Sequence, residues 1–232
     1  MDEAERLMFE GWAKLPSFRR KVEQAKATIR EALAIAPAYV AWSLGKDSTV
    51  LLHLAQQIQP DILAAFHAGH WMDSYDNYSE VRSQYCQRFQ TNLIEVPDDS
   101  DPFDFLNKST TASAFKQTIP EYVVALLGLR TEESKNRRRT ILNHGLIHQY
   151  KSGLWRACPL AFWGWRDIWA YHVTYDLPYL KSYDLTDRSG AESRTTAHIK
   201  PCRGNSALAE TVRTRLEQQS LAFRELRNLY CK

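Results

Sequence analysis

Several features that would take this chain out of the ordinary soluble globular class are missing from its sequence. No stretch approaches the ~20 consecutive apolar residues that a membrane-spanning helix needs. The opening residues, MDEAERLMFEGWAKL, lack the basic and apolar regions of a secretory signal. Neither sign of charge dominates, because 30 Lys+Arg face 27 Asp+Glu among 232 residues. These absences predict a cytoplasmic protein that makes no membrane contact.

Cysteine is scarce, and its spacing excludes the usual disulfide and zinc patterns. No two cysteines form a CxxC pair, which disfavours a disulfide framework or a structural zinc site. An iron–sulfur cluster needs about four converging thiolates, so none is expected. Lys200 and Arg203 flank Cys202, and neighbouring cations favour a thiolate. Cys202 is therefore the candidate for accepting or passing sulfur. The other cysteines are Cys86, Cys158 and Cys231.

Apolar runs of strand length alternate with segments of helical periodicity. This alternation predicts an α/β fold with a mainly parallel sheet covered on both faces. At 44% hydrophobic and 25% charged residues, the chain can build a sizeable core. The predicted strands are 38–42, 62–67, 92–96, 122–127 and 153–158. The predicted helices are 15–33, 50–60, 74–90, 133–143, 165–172 and 208–226.

The strongest functional signal is the segment 43–48, SLGKDS, between the first predicted strand and its helix. Ligands of open α/β sheets bind beyond the carboxyl ends of the strands. A turn at a helix N-terminus presents backbone N–H groups to a phosphate there. Lys46 adds a mobile positive charge, and Ser43 and Ser48 add hydroxyl donors. Asp47 alone would repel phosphate, so its expected use is to hold Mg²⁺ or to brace the loop.

Four ordered motifs resemble the ATP pyrophosphatases. Segment 43–48 is similar to their pyrophosphate loop, S-G-G-K-D-S, whereas the spacing excludes a Walker A loop. Three later segments resemble the branch that contains phosphoadenosine-phosphosulfate (PAPS) reductase. Residues 128–137 are similar to its G-L-R-x-x-x-S-x-x-R pattern, and residues 159–171 to its P-L-x-x-W-x-x-x-D-I-W-x-Y pattern. Residues 177–179 match the L-P-Y that follows.

The resemblance implies an adenine nucleotide α-hydrolase-like domain with three layers, α/β/α. Residues 1–36 would be an N-terminal helical segment, 37–184 the nucleotide-binding core and 185–232 a basic C-terminal helical segment. ATP and Mg²⁺ are the implied cofactors, with the metal on Asp47. The implied catalytic residues are Lys46, Asp47 and Arg130, together with Cys202 for sulfur. The implied nucleotide-binding residues are Trp42, Ser43, Leu44, Gly45, Lys46, Asp47, Ser48, His67, Gly69, Gly128 and Arg130.

The departures from the family pattern bear on the reaction. Leu44 stands where Gly is usual, so the loop is expected to need a different backbone. The segment that would read D-T-G is 67–69, His-Ala-Gly, and the reductase's C-terminal E-C-G-L-H is missing. Lys46 and Asp47 retain the ATP-cleaving loop that PAPS reductases have lost. The residues therefore favour cleavage of ATP to AMP and pyrophosphate over sulfonucleotide reduction.

The acceptor of the adenylyl group is less determined by the sequence. A DNA backbone phosphate is the first choice, as in DNA phosphorothioation with a cysteine desulfurase as partner. Residues 194–232 carry eight Lys+Arg against three Glu, which suits nucleic acid, although a solvated helix face explains them equally well. Sulfate is the second choice, and a nucleotide-binding module without turnover the third. The oligomeric state stays open, with a homodimer among the alternatives.

Overall fold

A single mainly parallel sheet organises the molecule. The computed structural model describes residues 1–69, 76–98 and 117–184. The strand order is β3-β2-β1-β4-β6-β5, and only the edge strand β5 runs antiparallel, against β6. This confirms the predicted α/β class. The strands are β1 (Ala38–Ala41), β2 (Leu63–Gly69), β3 (Leu93–Asp98), β4 (Val124–Leu126), β5 (Ile147–Gln149) and β6 (Trp155–Ala157).

Helices connect the strands and cover the sheet. Parallel neighbours require a crossover connection, and helices supply it from β1 to β2 and from β2 to β3. None of the described helices has the length and apolarity that a bilayer crossing requires. The helices are α1 (Glu3–Ala13), α2 (Pro16–Leu33), α3 (Lys46–Gln56), α4 (Tyr78–Phe89), α5 (Lys135–His144) and α6 (Trp165–Tyr175). Two 3₁₀ turns follow β4 and α6, at Thr131–Glu133 and Lys181–Asp184.

The strands are buried on both faces. Successive side chains of a strand point to opposite sides, so Val40 of β1 joins the main core while its neighbour Tyr39 joins a smaller apolar cluster. The main core also takes in Trp163 and Trp169, both at most 3% exposed. These two tryptophans are therefore core residues and offer no surface for base stacking.

Asp167 ties the two N-terminal helices to α6. Its carboxylate accepts hydrogen bonds from Trp12 Nε1 of α1 (2.9 Å) and Lys21 Nζ of α2 (2.5 Å). It also accepts from the backbone N–H of Gly164 (2.7 Å), and so caps its own helix. The Asp of the D-I-W motif therefore holds the molecule together at this point. α1 itself has a sequence signal, the capping box between Asp2 and Glu5.

Three elements differ from the sequence prediction or lie outside the described residues. α3 begins at Lys46, whereas the apolar periodicity predicts a start at Val50; the polar first turn hides the helix from a pattern search. β5 was not predicted, because its three residues carry little apolar signal. The last predicted helix, 208–226, lies outside the described residues.

Candidate functional site

The segment 43–48 forms a closed loop at the carboxyl end of β1. Ser48 Oγ accepts a hydrogen bond from Ser43 N (3.2 Å), lies 3.1 Å from Ser43 Oγ, and donates to Gly45 O (3.0 Å). The two serines expected to donate to a phosphate thus also brace the loop. The N-cap residue of α3 is Gly45, which has no side chain to cap the helix. A helix start of this kind attracts anions.

Leu44, which stands where the family has glycine, adopts a left-handed backbone conformation. Its φ is +60°, in the left-handed region, and its side chain is fully buried. A left-handed non-glycine residue costs roughly 1–2 kcal/mol, while burying a leucine side chain contributes about 1.5–3 kcal/mol. The burial of the side chain therefore offsets the left-handed strain at this position. The expected difference from the family's loop backbone stays a prediction.

Two buried cations meet one carboxylate beside this loop. Lys46 Nζ lies 2.8 Å from Asp47 Oδ2, and Arg130 Nε lies 2.5 Å from Asp47 Oδ1. Lys46 and Arg130 are at most 2% exposed. Burial alone would raise the pKa of Asp47, but the Lys46 ammonium and the Arg130 guanidinium outweigh it and hold that pKa below its usual range. The ion pairs confirm that Arg130 lies on the same edge as the loop.

Arg130 has further acidic neighbours in the turn that follows β4. Its Nη1 pairs with Glu132 Oε1, and its backbone N–H donates to Glu133 Oε2 (2.8 Å). Arg130 is thus paired with Glu132, but it is a buried residue and not a surface arginine. Glu132 is itself 39% exposed, so an incoming anion can replace it on the guanidinium. Arg130 thus offers one side of its fork to Asp47 and the other to a ligand.

Gly128 is required by the close approach of the loop to β4. A Cβ atom at this position would lie 2.9 Å from Ser48 N and 3.0 Å from Asp47 C, both backbone atoms. Only glycine lets the two backbones pass this closely. Gly128 therefore sets the distance between the loop and the segment that carries Arg130.

Sequence reasoning missed two residues that contact the first turn of α3. His172 Nε2 lies 2.9 Å from the backbone O of Lys46, and Tyr183 Oη accepts from the backbone N–H of Lys46 (3.4 Å). Burial lowers the pKa of His172, so the neutral ring with its proton on Nε2 fits this contact. Position 172 carries only a signal for the apolar face of a helix, and no pattern marks position 183. Their proximity to Lys46 comes from the packing of α6 and the turn after it.

The residues present do not fit a magnesium ion held by Asp47. Both of its carboxylate oxygens already contact a cation. Within residues 1–69, 76–98 and 117–184, no three His, Cys, Asp or Glu side chains are placed to hold a metal ion. Asp47 therefore acts as the brace of the loop in this structure. Mg²⁺ commonly binds through substrate phosphates with one or two carboxylates, and its place here stays a prediction.

Other predicted site residues are only partly at the loop. His67 and Gly69 end β2, next to Val96 and Asp98 of β3, and so reach the carboxyl edge of the sheet by their backbone. The side chain of Trp42 points into the core, where its Nε1 donates to Thr49 Oγ1 (3.1 Å).

Of the four cysteines, two lie in the described part of the chain. Cys158 is 1% exposed, and burial raises its pKa to about 11, which confirms that it is shielded. Cys86 is half-buried on α4, and burial raises the pKa of its thiol as well. Neither is a ready thiolate. Cys202, the sulfur candidate, and Cys231 lie outside the described residues.

Comparison with known proteins points to one family. The profile of the phosphoadenosine phosphosulfate reductase domain matches residues 37–189, more than half of the chain. An adenosine 5′-phosphosulfate reductase of Bacillus cereus (strain AH820) is 29% identical over 163 residues, covering 62% of this chain and 67% of the relative. The enzyme of the same name from Bacillus anthracis (strain CDC 684 / NRRL 3495) is 28% identical over 163 residues, covering 62% and 69%.

Solved structures share the fold. The phosphoadenylyl-sulfate (PAPS) reductase of Candida auris superposes with a TM-score of 0.56 at 14% identity, covering 80% of this chain and 92% of that chain. The FMN adenylyltransferase of Candida glabrata, solved with FMN and an ATP analogue, superposes with a TM-score of 0.52 at 16% identity, covering 73% and 62%. At these identities the likeness concerns the fold alone.

Proposed function

Because this chain belongs to the phosphoadenosine phosphosulfate reductase domain family, we propose that it is a nucleotide-dependent enzyme that cleaves ATP at the α-phosphorus. It releases pyrophosphate and transfers AMP to an acceptor oxygen. The observation that carries this proposal is the pair of buried cations at the loop, Lys46 and Arg130, held side by side by Asp47. Two preorganised positive charges next to a helix start without an N-cap side chain suit a polyphosphate better than a single sulfate or carboxylate.

The residues of the loop support the adenylyl transfer by position and charge. An acceptor oxygen attacks the α-phosphorus, a new P–O bond forms, and the bond to the bridging oxygen of pyrophosphate breaks. Negative charge grows on the phosphate oxygens in this step. Lys46 and Arg130 stabilise that charge, and the N–H groups at the start of α3 add to it. Asp47 keeps both cations in place while they do so.

The acceptor that we propose is a backbone phosphate of DNA, adenylylated for sulfur insertion. A persulfide sulfur from a cysteine desulfurase then attacks the acceptor phosphorus, and AMP leaves. A thiol cleaves the resulting S–S bond, so that one sulfur atom stays on the phosphate. Cys202 is the candidate for relaying this sulfur if the desulfurase does not deliver it directly. The basic residues of segment 194–232 support a nucleic-acid substrate by their charge.

Sulfonucleotide reduction is the second candidate, and the names of the curated relatives favour it. It would need a reactive thiol. Cys158, at the carboxyl edge of β6, is buried and protonated at neutral pH, so that thiol would have to come from another cysteine, such as Cys202. The two reactions give different products. ATP cleavage yields pyrophosphate, and reduction of adenosine 5′-phosphosulfate yields sulfite.

The deciding experiment compares the wild type with Lys46→Met, which removes the charge but keeps most of the side-chain volume. Both proteins are incubated with ATP and Mg²⁺, with and without duplex DNA and a cysteine desulfurase, and pyrophosphate is measured. Loss of a preorganised charge contact typically lowers a rate by a factor of about 10²–10³. The rate of pyrophosphate release by Lys46→Met is therefore expected to fall by that factor. Lys181→Met is the matched control, because Lys181 is exposed and pairs with Glu80 on the surface.

A second assay offers adenosine 5′-phosphosulfate and a thiol reductant in place of ATP, and sulfite is measured. Pyrophosphate without sulfite supports the proposal. Sulfite without pyrophosphate would establish the reductase alternative. Equal pyrophosphate release by the wild type and Lys46→Met would show that the loop does not carry out the reaction.

A further inference from the structure

The exposed face of α5 carries positive charge that no described residue neutralises. Positions 135, 138, 139 and 142 share one face of a helix. Lys135, Arg138 and Arg139 are exposed on it, and Leu142 is 62% exposed. The opposite face packs on the domain through Ile141, which contacts Cys158 and Ala161. α5 is therefore firmly seated, with its cations turned outward.

The acidic residues that precede α5 pair with arginines other than Arg138 and Arg139. Glu132 pairs with Arg130, and Glu133 pairs with Arg137. The helix itself, KNRRRTILNH, contains no acidic residue. None of Lys135, Arg138 and Arg139 forms an ion pair with a residue in the described part of the chain. The face thus differs from an ordinary surface helix, in which opposite charges alternate.

This placement of charge opposes the stability of the helix. The N-terminal end of a helix carries a positive partial charge, so a cation near it is unfavourable, most of all at low salt. α5 has no acidic residue in its first turn, and its N-cap is the uncharged Ser134, which accepts from Arg137 N (3.1 Å). The dipole of α5 and its basic side chains therefore both contribute positive potential at this end of the helix. An anion bound at this face would relieve the repulsion.

The topology puts α5 at the edge of the sheet that holds the loop. Its chain enters from the turn after β4, which carries Arg130, and leaves into β5 next to the end of β6, where Cys158 N donates to Leu146 O (2.9 Å). Both ends of α5 therefore lie at the carboxyl edge. A polyanion along the exposed face of α5 would run past the phosphate loop.

We infer that this face, Lys135, Arg138 and Arg139, is the surface on which the DNA substrate lies. The inference rests on the proposed function, because it supplies the path by which a backbone phosphate reaches the site. A DNA strand carries one charge per about 3.4 Å, and α5 rises 1.5 Å per residue. Three cations within five residues of helix can therefore contact successive phosphates. They bind the backbone and read no base sequence.

The test measures binding of a short fluorescently labelled DNA duplex to the full chain over a range of salt concentrations. The triple variant Lys135→Ala, Arg138→Ala, Arg139→Ala is expected to lose on the order of tenfold or more in affinity at low salt. Its log–log salt slope should be shallower by up to about 2.7, at about 0.9 per neutralised phosphate. Alanine is the strongest helix former, so α5 should persist, and circular dichroism checks it. The single variant Arg138→Glu should lose more affinity than Arg138→Ala.

The matched control removes the same charge from another place. Lys14, Arg19 and Arg20, around the junction of α1 and α2, are exposed and form no ion pair within the described residues. The variant Lys14→Ala, Arg19→Ala, Arg20→Ala should bind the duplex as the wild type does. An equal loss of duplex affinity in both triple variants would overturn the inference. So would a wild type that binds an acidic polypeptide as tightly as DNA, or one that binds no duplex at any salt concentration.

Binding is measured without ATP, so it separates the inference from the proposed function. If DNA binding depends on α5 but the protein releases no pyrophosphate, the inference about the DNA-binding surface stands and the proposed ATP cleavage is refuted. Pyrophosphate release by a protein that binds no DNA would do the reverse.

Discussion

At the scale of single residues, Leu44 shows how a residue other than glycine can occupy a left-handed position of the loop. The turn needs a left-handed residue at this point, and Leu44 adopts φ +60°. Its side chain lies fully buried in the main core. The strain of the backbone and the burial of the side chain therefore oppose each other at one position, and substitutions can separate them.

Leu44→Gly and Leu44→Ala separate the two contributions. Both variants lose the buried side chain, which costs about 2–5 kcal/mol, but only glycine relieves the left-handed strain of roughly 1–2 kcal/mol. We expect Leu44→Gly to be less stable than the wild type and yet about 1 kcal/mol more stable than Leu44→Ala. Urea unfolding of the three proteins measures this. An alanine variant as stable as the glycine variant would show that the backbone relaxes.

At the scale of elements, the N-terminal helices depend on one buried carboxylate. The carboxylate of Asp167 accepts hydrogen bonds from Trp12 of α1, from Lys21 of α2 and from the backbone at the start of α6. Hydrogen bonds to a charged group contribute about 1.5–3 kcal/mol each. These three hydrogen bonds, which we call the Asp167 clamp, hold the helices together. Asp167 nevertheless lies in a motif that a sequence comparison would first assign to function.

Asp167→Asn is expected to destabilise the protein by about 3–5 kcal/mol, because it leaves the half-buried Lys21 ammonium without its counter-charge. Urea unfolding measures the loss, and amide exchange should speed up in α1. Asp176→Asn is the control. Asp176 is 77% exposed and pairs with Arg6 and Arg88 on the surface, so its loss should stay within about 1 kcal/mol. Equal effects would argue against the clamp.

At the scale of the whole molecule, stability should fall on acidification in two stages. His53 packs between α3 and α6, with Nδ1 3.0 Å from Tyr171 Oη and 3.3 Å from Gln57 Nε2. Burial, helped by the nearby charges of Arg88, His172 and Lys26, lowers its pKa to about 4. The unfolded chain therefore takes up the proton first, and folding loses free energy as the pH falls from about 6.5 to about 4.

The depressed pKa of Asp47 acts in the same direction at lower pH. Its folded pKa lies below the usual value, so the unfolded carboxylate is protonated first. The stability that Asp47 contributes is present above the unfolded pKa of about 3.9 and is lost as the pH falls below it. The two stages therefore follow one another.

His53→Gln removes the upper stage. Glutamine can still hydrogen-bond to Tyr171 but does not titrate. Between pH 7 and pH 4, His53 alone is expected to lower the free energy of unfolding of the wild type by up to about 3 kcal/mol. The variant lacks this contribution, so its free energy of unfolding should fall by that much less. The free energy of unfolding, measured by urea at several pH values, tests this. A variant with an unchanged pH slope would assign the loss to other groups, such as His172.

The sequence by itself determined the features that depend on neighbouring residues. Segment 43–48 and the alternation of strands and helices are local patterns, and in a parallel sheet they place the loop at the carboxyl edge. The tertiary structure decided what distant residues do together. Asp47 meets Arg130, and Lys46 meets His172, only after β4 and α6 pack beside the loop. Whether Asp47 binds a metal ion or braces the loop depends on that packing, because a buried carboxylate pairs with the cations that the fold places next to it.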